Sequence, residues 1–162
     1  MSSPESAAVP EGTFRCPTVE DTWELGERIG AGVSAGDVIV LSGPLGAGKT
    51  ALTQGIARGM GVGGRVTSPT FTIARLHRPT AATPDRPALI HVDAYRLLDS
   101  GDDPLDTLES LGLDEELDRS VVVAEWGEGM MEALSDRYYL VEIARAADDV
   151  RTLTITRHGG AA

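Results

Sequence analysis

The run Val38-Ile-Val-Leu41-Ser-Gly43-Pro-Leu-Gly-Ala-Gly-Lys49-Thr50 decides how the rest of this chain is read. Its first four residues are apolar without alternation, the pattern of a strand buried on both faces of a parallel sheet. Gly43 to Thr50 then fits the phosphate-loop spacing of two glycines, a lysine and a hydroxyl residue in full. The segment from Lys49 to Met60 has helical spacing, so the pattern sits between a strand and a helix, as its chemistry requires. Glycines let successive backbone N–H groups turn inward around a phosphate, and the helix N-terminus adds its positive end. Lys49 reaches the β- and γ-phosphates, and the Thr50 hydroxyl is placed to ligate Mg²⁺. With the chain's own residue frequencies, roughly 0.002 matches to this pattern are expected by chance. The only lysine of the chain stands at the position where the pattern needs one.

Outward from that run, the chain of 162 residues has the length of one ordinary domain, and 41% hydrophobic residues allow a sizeable core. Residues 1–12 read as a flexible tail, 13–158 as the folded domain and 159–162 as a short C-terminal tail. No apolar run approaches a membrane span, and the first residues lack the charged and apolar regions of a secretory signal. One cysteine, Cys16, excludes an internal disulfide, and a cytoplasmic location is expected. Twenty-five acids against fourteen bases give a net charge of −11. Such a chain is a poor free-standing nucleic-acid binder, because that affinity is dominated by neutralising phosphates.

Thr18-Val-Glu-Asp21 resembles a capping box and opens a helix expected from about Glu20 to Ala31. Strands are expected over Phe71–Leu76, Ala88–Val92 and Val121–Ala124, with a closing hairpin of Tyr138–Ile143 and Thr152–Thr156. Arg78 to Pro87 holds three prolines and reads as a surface excursion. Residues 99–118 hold nine acids and no base, and the spacing of Leu105, Leu108 and Leu111 suggests a short amphipathic helix with a solvated acidic face. The order of elements predicts an α/β fold: one P-loop NTPase domain, a mostly parallel central sheet with antiparallel additions, and flanking helices.

The phosphate loop supplies Gly43, Leu45, Gly46, Ala47, Gly48, Lys49, Thr50 and Ala51 as nucleotide-binding positions. Two strand-end acids are candidates for the metal and the attacking water: Glu125 after Val121-Val-Val-Ala124, and Asp93 after Leu89-Ile-His-Val92. The sequence does not assign which acid does which. Thr70, in Ser68-Pro-Thr70, is a candidate γ-phosphate sensor, as switch threonines are. His91 and Asp93 stand two apart on a strand, but no further ligand nearby completes a zinc set. Guanine recognition in standard GTPases uses a second lysine, which this chain lacks, so ATP and ADP are the expected nucleotides.

Read together, Gly43-Pro-Leu-Gly-Ala-Gly-Lys-Thr50, Ser68-Pro-Thr-Phe71, His91-Val-Asp-Ala-Tyr-Arg96 and Glu125-Trp126 resemble, in order, the motifs of the bacterial TsaE (YjeE) family. The resemblance runs from about Thr18 to Thr156. It implies a slow ATPase that acts with TsaB and TsaD in forming threonylcarbamoyladenosine at position 37 of tRNA. On that reading the chain resets the complex between turnovers, does not carry out the transfer, and meets tRNA only through its partners. It further implies that Lys49 and Thr50 hold phosphate and Mg²⁺, that Thr70 lies in a switch-like segment, that Asp93 serves hydrolysis, and that Glu125 lies in the magnesium shell. Pro44 stands where many family loops carry Asp, and His77 where an aromatic is common. An ATP-dependent small-molecule kinase and a nucleotide-gated module without turnover are the alternatives.

Overall fold

The computed structural model describes residues 9–43, 48–63, 74–80, 85–93, 116, 119–125, 137–146 and 150–159. Among these residues, seven strands form one sheet in the order β1-β7-β6-β2-β5-β4-β3. They are β1 (Gly12–Cys16), β2 (Val38–Ser42), β3 (Ala74–His77), β4 (Ala88–Asp93), β5 (Ser120–Glu125), β6 (Arg137–Arg145) and β7 (Arg151–Gly159). The central strands β6, β2, β5 and β4 run parallel to one another. Both flanks are antiparallel, β3 on β4 at one edge and β6–β7–β1 at the other. The two apolar runs of the sequence, β2 and β5, sit side by side in the middle, buried on both faces.

The helices α1 (Val19–Gly32) and α2 (Lys49–Met60) cover one face. Their Leu25, Ile29, Leu52, Ile56 and Met60 pack with Ile39, Leu41, Val123, Val141, Leu153 and Ile155 of the sheet. On the opposite face Val38, Val40, Ile90, Val92, Val122 and Ala124 form a second buried cluster. The capping box forms as expected: the Thr18 hydroxyl accepts from the Asp21 N–H at 3.2 Å, and the Asp21 carboxylate accepts from the Thr18 N–H at 3.1 Å. The helix spans Val19–Gly32, one residue beyond expectation at each end.

The helices approach each other along four glycines. A Cβ added to Gly30 would lie 2.2 Å from the Ile56 carbonyl oxygen, and one on Gly59 2.2 Å from that of Glu27. Gly26 and Gly55 face each other in the same seam. Residues four apart on a helix share a face, so Gly26/Gly30 and Gly55/Gly59 make two matching small stripes. Gly59 therefore belongs to the packed helix, and the stop comes at Gly61, whose φ of 76° is the left-handed conformation of a C-terminal cap.

Arg86 lies in the proline-rich excursion, and its side chain turns inward. Its Nη2 donates to the carbonyls of Gly30 and Gly59, each at 3.1 Å, so one guanidinium satisfies the C-terminal ends of both helices. Cys16, the edge residue of β1, is buried and free, and burial pushes its thiol pKa up, with a smaller opposing effect of a hydrogen bond with Thr22. No described helix is long and apolar enough to cross a membrane. Of the acidic strip, Glu116 is described, and it is engaged within the chain by Arg119 at 3.1 Å and Arg78 at 3.9 Å.

Candidate nucleotide site

The site is built at the carboxyl ends of the parallel strands, where open α/β sheets bind their ligands. β2 ends at Ser42, the chain passes Gly43, and α2 begins at Lys49. Gly48 is the N-cap with φ 112° and ψ 17°, a conformation open to glycine and strained for side-chain residues. From it the backbone enters the helix at once, with the Leu52 N–H on the Gly48 carbonyl at 3.0 Å. Lys49 is 5% exposed, and its Nζ donates to the Gly43 carbonyl at 2.7 Å. A buried ammonium needs such partners, because desolvation without them is costly. Thr50 and Ala51 follow in the first turn, both half-buried.

Strand register brings the acids to the same edge. Leu41 of β2 pairs with Glu125 of β5, and Glu125 pairs with Asp93 of β4. The two sequence candidates are thus neighbours at the end of adjacent strands, beside the strand that feeds the loop. Glu125 is 6% exposed, and its Oε2 lies 2.7 Å from Nε2 of His91, a fully buried residue of β4. A buried carboxyl group needs such a hydrogen-bond partner, because desolvation without one is costly. His91 Nδ1 has no hydrogen-bond partner among the described residues. His91, which the sequence offers as a companion of Asp93, is in fact the residue that orients Glu125.

Gly43, Gly48, Lys49, Thr50, Ala51 and Glu125 are therefore brought to one edge of the sheet. Asp93 is placed there by its backbone, and its side chain lies outside what is described. Leu45, Gly46, Ala47 and Thr70 also lie outside the described residues, as do Pro44, Tyr95, Arg96 and Trp126. One residue that the motifs do not single out joins the site. Arg151, the first residue of β7, lies against the N-cap of α2: a Cβ on Gly48 would be 3.4 Å from its Nε and 3.6 Å from its Cδ. The one available sequence signal is an arginine two residues before Leu153, where the inward-facing alternation of the last strand begins.

A strand–loop–helix unit with a lysine at the first helical position, on a parallel core with acids at the neighbouring strand ends, defines a P-loop NTPase fold. The chain itself belongs to the TsaE family. The family model described as "Threonylcarbamoyl adenosine biosynthesis protein TsaE" matches residues 16–153. A tRNA threonylcarbamoyladenosine biosynthesis protein TsaE of Mycobacterium tuberculosis is 54% identical over 145 residues, covering 88% of this chain and 85% of that one. The protein of the same description from Streptomyces coelicolor is 52% identical over 140 residues, covering 84% and 90%. Among solved structures, Bacillus subtilis YdiB superposes with a TM-score of 0.69 at 32% identity, covering 91% of this chain and 85% of that one.

Proposed function

We propose that this chain is the Mg²⁺-dependent ATPase component of tRNA threonylcarbamoyladenosine formation at position 37. It acts in the cytoplasm with a TsaB–TsaD pair to permit repeated turnover, and the transfer itself belongs to those partners. The observation that supports the reading is the shared edge of Lys49, Glu125 and the Asp93 backbone, where the lysine of the phosphate-loop pattern stands near two strand-end acids. ATP or ADP phosphates seat on the N–H groups of the loop and the start of α2, and Lys49 exchanges the Gly43 carbonyl for phosphate oxygens.

The donor set fits Mg²⁺. The Thr50 hydroxyl and the Glu125 carboxylate are hard oxygen ligands, the type this ion takes, and the His91 bond at Oε2 leaves Oε1 for a cation. When bound, Mg²⁺ would neutralise negative charge on the phosphates. His91 fixes the carboxylate, and Asp93, the neighbouring acid, is assigned to orient the attacking water. Thr70, in the switch-like segment, is assigned to sense the γ-phosphate. The net charge of −11 supports contact with tRNA through partners rather than directly.

The test is multiple-turnover modification. TsaB and TsaD from the same source are mixed with tRNA, threonine, bicarbonate, ATP and the enzyme that makes threonylcarbamoyl-AMP, with and without this chain. Product beyond one round is expected with the wild type, and none beyond one round with Lys49→Ala. Equal product in all three reactions would remove the proposed role. Phosphate appearing on a small-molecule acceptor instead would turn the reading towards a kinase.

A further inference from the structure

The end of the sheet opposite the nucleotide edge has a concavity of its own. A cavity of about 200 Å³ lies where β2 and β6 begin, beside the last residue of α1; Gly32, Asp37, Tyr139 and Arg157 line it, with Val9 and Val38. Asp37 precedes β2 and the phosphate loop follows it, so the five strand residues set the two sites about 20 Å apart. Pockets for drug-sized ligands hold about 300–1,000 Å³, and a cavity of about 150 Å³ accepts benzene, so the occupant here is a molecule of roughly one ring's size.

The charges of the cavity stand at its two ends. Asp37 is 8% exposed, and its Oδ2 accepts from the Ser34 N–H at 2.8 Å, which holds the carboxylate in place. A carboxylate accepts from several donors at once, so that bond is compatible with receiving an ammonium. The C-terminus of α1 at Gly32 adds the negative end of its dipole on the same side. Arg157 is exposed and stands at the mouth. Ile39 pairs with Tyr139 and Tyr139 with Arg157, so Arg157 lies two strands across and two residues along from Asp37, about 12 Å between Cα atoms. Among the described residues no ion pair joins the two.

We infer that this cavity binds a small zwitterion, an α-amino acid with an aliphatic side chain. Its ammonium meets Asp37 and the end of α1, and its carboxylate meets the Arg157 guanidinium, whose planar donor fork matches that group. The aliphatic side chain packs on Val9 and Val38. A ligand of one charge is disfavoured, because a bare cation is opposed by Arg157 and a bare anion by Asp37. The site is independent of the nucleotide reading.

The test is a ligand-observed NMR titration of the whole chain with L-valine. A dissociation constant on the order of 0.1–1 mM is expected for a ligand of this size. Arg157→Gln, at an exposed position, should weaken binding about tenfold, the usual size of losing one charge-assisted hydrogen bond. Asp37→Asn, which keeps an acceptor for the Ser34 N–H, should do the same; thermal unfolding reports whether it is folded, and Arg157→Gln carries the test if it is not. L-valinamide, without the carboxylate, and N-acetyl-L-valine, without the ammonium, should each bind at least tenfold more weakly than L-valine. Saturating ADP should leave the L-valine affinity unchanged. No binding of L-valine up to about 10 mM, an unchanged affinity in folded Arg157→Gln, equal binding of the two blocked derivatives, or displacement by ADP would each overturn the inference. None of these results touches the phosphate loop, whose own test is the Lys49→Ala comparison.

Discussion

The two ends of α2 are both rich in glycine, for opposite physical reasons. At the N-terminal end Gly48 is required for its backbone: φ is 112°, and the nearest side-chain atoms to an added Cβ are 3.4 Å away, an ordinary contact. Along the flank and towards the C-terminus, Gly55 and Gly59 have helical backbone and are required for their absence of volume, with carbonyls of α1 at 2.4 and 2.2 Å from an added Cβ. The first end gains an abrupt entry into the helix from a left-handed N-cap. The second gains a helix pair close enough to act as one rigid support for it. The difference teaches that one residue type supplies both the left-handed turn into α2 and the close packing along it. Glycine content alone does not tell the two apart.

The largest effect in folding free energy is expected in the seam. Gly30→Ala forces a methyl to within 2.2 Å of the Ile56 carbonyl oxygen and 2.9 Å of the Met60 nitrogen, both backbone atoms that cannot rotate away. Alanine favours the helix intrinsically by about 1 kcal/mol, so a net loss shows that sterics win. Urea unfolding should report about 3 kcal/mol of destabilisation, at the upper part of the range for overpacking. A variant as stable as the wild type would mean that the helices can separate freely, and the comparison between the two ends would fail.

Next in size is the clamp. Arg86→Met preserves much of the stem and removes the donor that serves Gly30 and Gly59. Two carbonyls at helix C-termini lose their partner, and the cation that complements both helix dipoles is gone. The expected cost is about 2 kcal/mol by the same unfolding measurement. A loss confined to a few tenths would show that water replaces the guanidinium and that the seam stands without it.

How far the sequence shows these features depends on the range of the interactions. β2, the phosphate loop and α2 are legible because their signals are local: an apolar run, a spacing of glycines and a lysine, and a helical period follow within about two dozen residues. The capping box of α1 is local too, and it forms. β1 carries no such signal, and Gly12 begins a strand at a position that reads as the end of a tail. Gly12–Cys16 has only Phe14 and Cys16 facing the core and exists by pairing with Arg151–Ile155, some 140 residues away. Glu125 is legible as a strand-end acid, but its bond to His91 requires the β4–β5 register. The glycines four apart in each helix are visible, yet they acquire meaning only once α1 and α2 are neighbours. Arg86 is obscured by the prolines around it, which mark a turn and do not reveal which way a side chain points.

The smallest stability effect, and the sharpest separation of the two ends, is expected for Gly48→Ala. Nothing in its surroundings resists the volume: the atoms in reach belong to the side chain of Arg151, which can shift. The cost is conformational, because a residue with a Cβ is strained at φ 112°, and it should amount to about 1–2 kcal/mol. The folded variant should nevertheless lose ADP affinity by more than tenfold in calorimetry. On the proposed function, the phosphates bind at this N-cap, and relaxing φ would re-aim the N–H groups at the start of α2. Gly30→Ala should give the reverse pattern, a large loss of stability with ADP affinity in the folded fraction close to wild type. Should Gly48→Ala bind ADP as the wild type does, the positive φ at the N-cap would be incidental to phosphate binding. Gly48 would then serve only the left-handed turn into α2.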